Sequence, residues 1–269
     1  MRKLLFSCLV ALVCFGAQAQ FFGIDTDRLN ALFKGLPKLP HDNALIIMQS
    51  TLTALESDSK AYRKAAEIVE RLGDPADSLH NEELYVTALN KLANSFVLSN
   101  TEKERPKLLL EMASKNHVGT NATDIEYATT DGKTHRLLEN DKIKLIFFND
   151  LNCDACTKTK KAISESTALS ELVKQGQLQV ISIYTGNNQK AWKNNAIPDW
   201  VVNGWDKKQQ IEKDEAYVLM TTPLFYLLNS DNTVLVKNEP SLSRIEKALG
   251  ILSANADKNS QELIKLLFN

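Results

Sequence analysis

Cysteine is scarce. The 269-residue chain has 4 cysteines, and two of them, Cys8 and Cys14, fall in a segment that reads as a cleaved leader. What remains is Cys153 and Cys156 in a single Cys-x-x-Cys. A disulfide-stapled secreted fold would scatter its cysteines to close long loops, whereas a gap of two residues cross-links almost nothing. Chemistry explains this pair better than stapling. Histidine is sparse too: His41, His80, His117 and His135 show no ligand-like pairing. A zinc site needs four donors and the Cys-x-x-Cys offers two, so neither a metal nor another cofactor is expected.

An excess of one charge is missing as well. The 32 basic and 33 acidic residues leave a net charge of −1, and the densest basic stretch is Lys158, Lys160 and Lys161. Nucleic acid and anionic membrane surfaces therefore have no electrostatic footprint here. Long apolar runs are absent: the longest, Leu4 to Ala17, has about 14 residues against roughly 20 needed to cross a bilayer. The chain is not expected to span a membrane.

That short run has a different use. In MRKLLFSCLVALVCFGAQAQ, Arg2 and Lys3 precede it and Ala17-Gln18-Ala19 follows as a small-x-small cleavage site, the pattern of a secretory signal over residues 1–19. A lipid anchor on Cys14 would want a small residue before it, and Val13 fits poorly. The expected mature protein starts at Gln20 and is periplasmic or secreted. Its hydrophobic content of 43% suffices for real cores, so disorder is not expected.

Residues 20–117 read as a helical domain. Leu45, Met48, Leu52 and Leu55 form one stripe, Tyr62, Ala65, Ala66, Val69 and Leu72 a second, and Tyr85, Leu89, Leu92 and Phe96 a third. All three are expected to face a core. Gly73-Asp74-Pro75 breaks the chain, Asn81 precedes Glu82 and Glu83, and Thr101 with Glu104 reads as a capping box. A bundle of about five helices follows, with no catalytic motif in it.

From residue 118 onwards the texture is that of an α/β domain. Asp124 to Thr129 alternates towards a strand, Asp131-Gly132 signals a turn, and Lys144 to Phe148 is apolar enough for a strand buried on both faces. The Cys-x-x-Cys comes next, then a helix from Thr157 to Gln175 and a second buried strand from Leu178 to Tyr184. Trp192, Trp200 and Trp205 lie in an apparent loop, and a short helix runs to about Tyr217. These tryptophans either line a groove or pack beneath the loop, and packing is favoured. Leu224 to Leu228 and Thr233 to Lys237 flank the turn Asn229-Ser230-Asp231-Asn232 as a hairpin, and Ser241 to Leu252 closes as a helix. The expected order is βαβ followed by ββα, a central sheet flanked by helices.

A Cys-x-x-Cys where a buried strand gives way to a helix puts the first sulfur at a helix N-terminus, where free N–H groups favour a thiolate. Cys153 is the expected nucleophile and Cys156, one turn in, the resolving thiol. Lys158, with Lys160 and Lys161, adds positive potential, while Asp150 and Asp154 oppose it, so a mild or reducing dithiol is favoured. Pro223 would donate nothing to a sheet. In a cis form it would bring the Thr222 backbone beside the dithiol to pair with an extended substrate; the alternative is an ordinary trans proline opening an edge strand.

The segments KNHVGTNATDIEY (Lys115 to Tyr127), KLIFFNDLNCDAC (Lys144 to Cys156), Trp192 to Trp205 and TTPLFYLLNSDNTVLVKN (Thr221 to Asn238) resemble thioredoxin-like proteins of the ResA and TlpA kind. Closer still are exported Gram-negative proteins that join a helical domain of unknown function to such a domain. The resemblance implies a thioredoxin-like fold over residues 118–269, Cys153 and Cys156 as the redox pair and Thr222-Pro223 as the cis-proline step. Neither the substrate nor the redox potential follows from the resemblance; the chemistry of the pair makes a disulfide-bearing protein or small thiol the expected substrate, and an oxidising compartment would hold the pair closed unless a membrane partner delivers electrons. Asn152 stands where ordinary thioredoxins have Trp, and Asp154-Ala155 is neither Gly-Pro nor Pro-His. A related peroxidase would want Thr at position 150, which holds Asp. The other function class that fits is a binding or assembly protein with a passive Cys153–Cys156 bridge. On the leader reading, N-terminal sequencing of the exported protein should begin at Gln20; an intact leader or a lipidated Cys14 would refute it.

Overall fold

A computed structural model describes residues 25–74, 77–254 and 258–268. The leader with its Ala-x-Ala site, and Pro75 of the expected break, lie outside these residues. The chain divides into two compact units, one ending at Ser114 and the other starting at Lys115.

The first unit is helical: α1 (Thr26–Gly35), α2 (His41–Leu55), α3 (Ser59–Leu72), α4 (Glu82–Ala93) and α5 (Asn100–Ser114). Short polar side chains start three of them by accepting orphan N–H groups. Asp25 accepts from Arg28 N, Asp58 from Lys60 N and Ala61 N, and Asn81 from Leu84 N. The stripes meet in one core containing Met48, Leu52, Leu55, Tyr62, Val69, Leu72, Leu89 and Leu92. Two forked ion pairs, Arg63 to Glu102 and Arg105 to Glu70, tie α3 to α5 on the outside.

Two expectations fail in this unit. Phe96 is 77% exposed rather than part of a core stripe. The reason is that α4 ends at Ala93, with Asn94 capping its C-terminus, so the helical period no longer carries residue 96 inward. The capping box is not Thr101 with Glu104 but Ser99 with Glu102. Ser99 Oγ accepts from Glu102 N at 3.3 Å and the Glu102 carboxylate from Ser99 N at 2.8 Å, because the helix starts one residue after Ser99.

The second unit contains β1 (Glu126–Thr129), β2 (Thr134–Arg136), β3 (Ile143–Asn149), α6 (Asp154–Glu165), α7 (Thr167–Lys174), β4 (Leu178–Tyr184), α8 (Gln189–Lys193), β5 (Val201–Trp205), α9 (Gln210–Lys213), β6 (Leu224–Leu228), β7 (Val234–Glu239), α10 (Leu242–Ala254) and α11 (Lys258–Phe268). The strands form one sheet in the order β2-β1-β5-β4-β3-β6-β7. β3, β4 and β5 run parallel, and β6 returns antiparallel beside β3 with Phe148 opposite Leu224. Side chains alternate between faces as a strand requires. Leu145, Phe147, Phe225 and Leu227 pack with Ile163 of α6, Leu169 of α7 and Ile245 of α10. Ile146, Phe148, Tyr226 and Leu228 pack on the other face with Tyr127, Ile211 and Tyr217. The outer backbone groups at the start of β7 are taken up by residues 119–122: Gly119 N and Ala122 N donate to Val234 O and Asn232 O, and Val234 N donates to Thr120 O. α11 packs against β7.

The expected order βαβ then ββα is corrected here by one strand. Residues 201–205, read as loop, form β5 between β4 and β1. Asn203 and Gly204 disguise it, since both residue types are depleted in strands. Gly204 is nonetheless demanded by packing: a Cβ there would come within 2.7 Å of Ile183 Cδ1 and 2.9 Å of Tyr127 Cδ2. The single helix expected from Thr157 to Gln175 begins earlier, at Asp154, and divides at Ser166. Its backbone is extended (φ −74°, ψ 105°), and its side chain accepts from Leu169 N to start α7.

Leu92→Ala should cost about 2–5 kcal/mol in urea unfolding of the full chain, whereas Phe96→Ser should change stability by less than about 0.5 kcal/mol. Equal losses would contradict the solvent-facing placement of Phe96.

Candidate active site

β3 delivers the dithiol. Its last residue is Asn149, and Asp150 then folds its carboxylate over the loop, accepting from Leu151 N at 2.5 Å and Asn152 N at 3.2 Å. Cys153 follows in extended backbone as the N-cap of α6, and its Sγ accepts from Cys156 N at 3.0 Å. The cysteine side chain thus takes the capping role that Ser or Asp usually fills. An anionic sulfur there would gain both the N–H and the positive end of the helix dipole. Cys153 and Cys156 form a disulfide with Cα atoms 5.1 Å apart, inside the range that bridges without backbone movement. Cys153 is half-buried and Cys156 fully buried, so of the two sulfur-bearing residues only the first reaches solvent.

The Thr222–Pro223 peptide is cis, and Thr222 O lies 3.5 Å from Cys153 Sγ. The β3–β6 register brings these distant residues together, since Pro223 immediately precedes Leu224, the partner of Phe148. Thr222 and Pro223 are half-buried, and Met220 just before them is 68% exposed. Around the sulfurs, Asp154 and Lys158 are exposed. Lys160 is half-buried and donates to Asn195 Oδ1 at 2.8 Å. Asp150, Cys153, Asp154, Cys156, Thr222 and Pro223 therefore lie on the Cys153 loop, the first turn of α6 or the Thr222–Pro223 step, and Lys158, Lys160 and Lys161 lie further along α6.

Two supporting features were not anticipated, and a third is the packing role favoured for the tryptophans. Asn149 is fully buried four residues before Cys153, and its Nδ2 donates to Ser182 Oγ at 2.9 Å and Ile183 O at 3.1 Å. A lone amide ending an apolar run was the available signal. Asn195 was invisible because it lies in an irregular segment after α8. Trp192 and Trp205 pack on each other at 5.3 Å beside Tyr184, and Leu151 of the Cys153 loop leans on them. These two tryptophans are packing residues that prop the loop.

A solved structure of a thioredoxin-like protein from Bacteroides caccae is 34% identical to this chain, covers 80% of it and is covered over 79% of its own length, with a TM-score of 0.75. The chain belongs to the thioredoxin-like family. A conserved protein of unknown function from Bacteroides fragilis is also similar to this thioredoxin-like chain (30% identity, 49% of this chain and 98% of that one, TM-score 0.47). Residues 34–116 match a domain of unknown function (DUF5106). No curated protein matches the chain. The observed architecture, a helical region followed by a mixed sheet flanked by helices, is the one expected of such a thioredoxin-like protein.

Asn149→Asp should destabilise the chain by about 1–3 kcal/mol, because a carboxylate oxygen would replace the Nδ2 that donates to Ile183 O. Burial would raise the folded-state pKa of the new acid above its unfolded value of about 3.9, so the loss should grow as pH rises from about 4 towards 7. A loss that shrinks over that interval in urea titrations would refute the buried placement.

Proposed function

We propose that this chain is a periplasmic thiol–disulfide oxidoreductase that acts as a mild reductant, with Cys153 as nucleophile and Cys156 as resolving thiol. The observation that carries the reading is the half-buried Cys153 sulfur at the N-terminus of α6, with a fully buried partner and the Thr222 carbonyl 3.5 Å away. In the forward reaction the Cys153 thiolate attacks a client disulfide, forming a mixed disulfide and expelling one client thiolate. Cys156 loses its proton and attacks Cys153 Sγ, forming the Cys153–Cys156 bridge and expelling the second thiolate. Two electrons pass to the client, and the two protons from the cysteines end on its thiols. Backbone at Thr222 and Pro223 supports binding of an extended client beside the sulfur.

The cycle needs a dithiol donor to reduce the bridge again, because an oxidising compartment would otherwise hold it closed; a membrane partner is the class that fits. The secretory pattern of residues 1–19 supports export, and no described helix is long and apolar enough to cross a membrane. Asp150 and Asp154 on one side and Lys158 on the other support a thiolate less stabilised than that of a strong oxidant. Residues 20–117 are proposed as a separate helical domain that does not supply the chemistry.

The mature chain should reduce insulin disulfides in the presence of dithiothreitol. Cys153→Ser should bring the rate to background, and Cys156→Ala should leave an attacking thiol that cannot resolve. Mixed disulfides should then accumulate on a non-reducing gel of a periplasmic extract. Trapping by Cys153→Ser instead would reverse the two roles. A wild type no faster than the double serine variant would replace this reading with that of a passive bridge.

A further inference from the structure

Of the three lysines of α6, only one is drawn into the fold. Lys158 and Lys161 are exposed, and Lys161 approaches Glu165 at 3.8 Å. Lys160 is half-buried. It follows Cys156 by one helical turn and Cys153 by two, which puts it on the face of α6 that carries both sulfurs. Its Nζ donates to Asn195 Oδ1 at 2.8 Å. An ammonium has only donors, so the amide must turn its oxygen towards Lys160. That leaves Asn195 Nδ2 buried without a partner among the described residues. The tie to Lys160 is kept despite an orphaned donor.

Asp150 is the countercharge. Its carboxylate holds the two backbone N–H groups that lead into Cys153, and Lys160 lies within its electrostatic reach. Burial pushes the Lys160 ammonium below the ordinary lysine range, and the attraction of Asp150 acts in the opposite sense. On α10, which packs against α6, Arg244 and Glu246 are half-buried and engaged by Glu239 and Ser166. The other charged groups on the elements around Cys153 are Asp154, Lys158, Lys161 and Glu165 on α6, Lys247 on α10, and Lys190, Lys193 and Asp199 between β4 and β5, all exposed. Solvent and salt screen those groups far more than a half-buried one. The segment from Leu219 to Leu224 contributes no titratable side chain.

The geometry points to Lys160 as a positioning residue for the exchange proposed above: held by Asn195, its charge offsets that of Asp150 at Cys153 and keeps the nucleophile ionised near neutral pH. This rests on Cys153 being the attacking thiol. Client specificity is not involved. The pair acts on every substrate alike, through the fraction of thiolate at a given pH.

The test uses the full mature chain with Cys156→Ala, so that one thiol remains, and follows the rate of iodoacetamide alkylation against pH. Lys160→Met should move the midpoint upward by about half to one pH unit, Asp150→Asn should move it downward, and the double variant should return close to the parent. Lys160→Arg should restore the parent midpoint, and 1 M salt should narrow the gap left by Lys160→Met. A midpoint unmoved by Lys160→Met in protein whose far-UV spectrum matches the parent overturns the inference, as does a double variant that keeps the full upward shift. Alkylation does not depend on turnover. A wild type that fails to reduce insulin but shows these shifts would sink the oxidoreductase reading alone, and the converse would sink only the role of Lys160.

Discussion

The pairing of β3 with β6 is the constraint on which the second unit depends. β3 is buried on both faces and lies between a parallel and an antiparallel neighbour, so its register cannot slip by one residue without exchanging the two cores. Phe148 opposite Leu224 then sets how far the loop after β3 stands from the residue before β6. Cys153 and Thr222, separated by 69 positions in the chain, meet at 3.5 Å because of that single alignment. The site is therefore positioned by hydrophobic strand residues buried in the two cores.

Around that frame the local chemistry divides into separate tasks. Asp150 shapes the loop through backbone N–H groups, and Leu151 anchors it on Trp192 and Trp205. Cys156 N addresses the Cys153 sulfur directly. Burial separates the two sulfurs by access, Cys153 being half-buried and Cys156 fully buried. The helical unit has its own closed core and its own caps, as expected of a domain that folds around its own apolar stripes.

Much of this was legible in the sequence where periodicity is strong. The stripes through Met48 to Leu55 and Tyr62 to Leu72, the doubly buried run Lys144 to Phe148 and the hairpin around Asn229 to Asn232 appear where their patterns put them. The failures have two causes: a tertiary contact overrides a local rule at β5, and helix ends fall where residue spacing does not mark them. Strand β5 carries Asn203 and Gly204 because Ile183 and Tyr127 crowd its backbone. Phe96 keeps the spacing of α4 but lies past its end. Ser166 interrupts what reads as one helix, and its hydroxyl starts the next. At the site, the cysteines and Pro223 were visible as residue types, whereas the tie between Lys160 and Asn195 joins two elements 35 positions apart and leaves no trace in either segment alone.

The treatment of the sheet's two borders has a consequence for how this chain behaves in company. β2 is a strand of only three residues, and β7 has its outer hydrogen-bonding groups engaged by residues 119–122 at its start. A border left long and open would template the addition of strands from other chains and lead towards fibres. With β2 short and the start of β7 covered, the sheet offers little border main chain for a strand of a neighbouring copy to join.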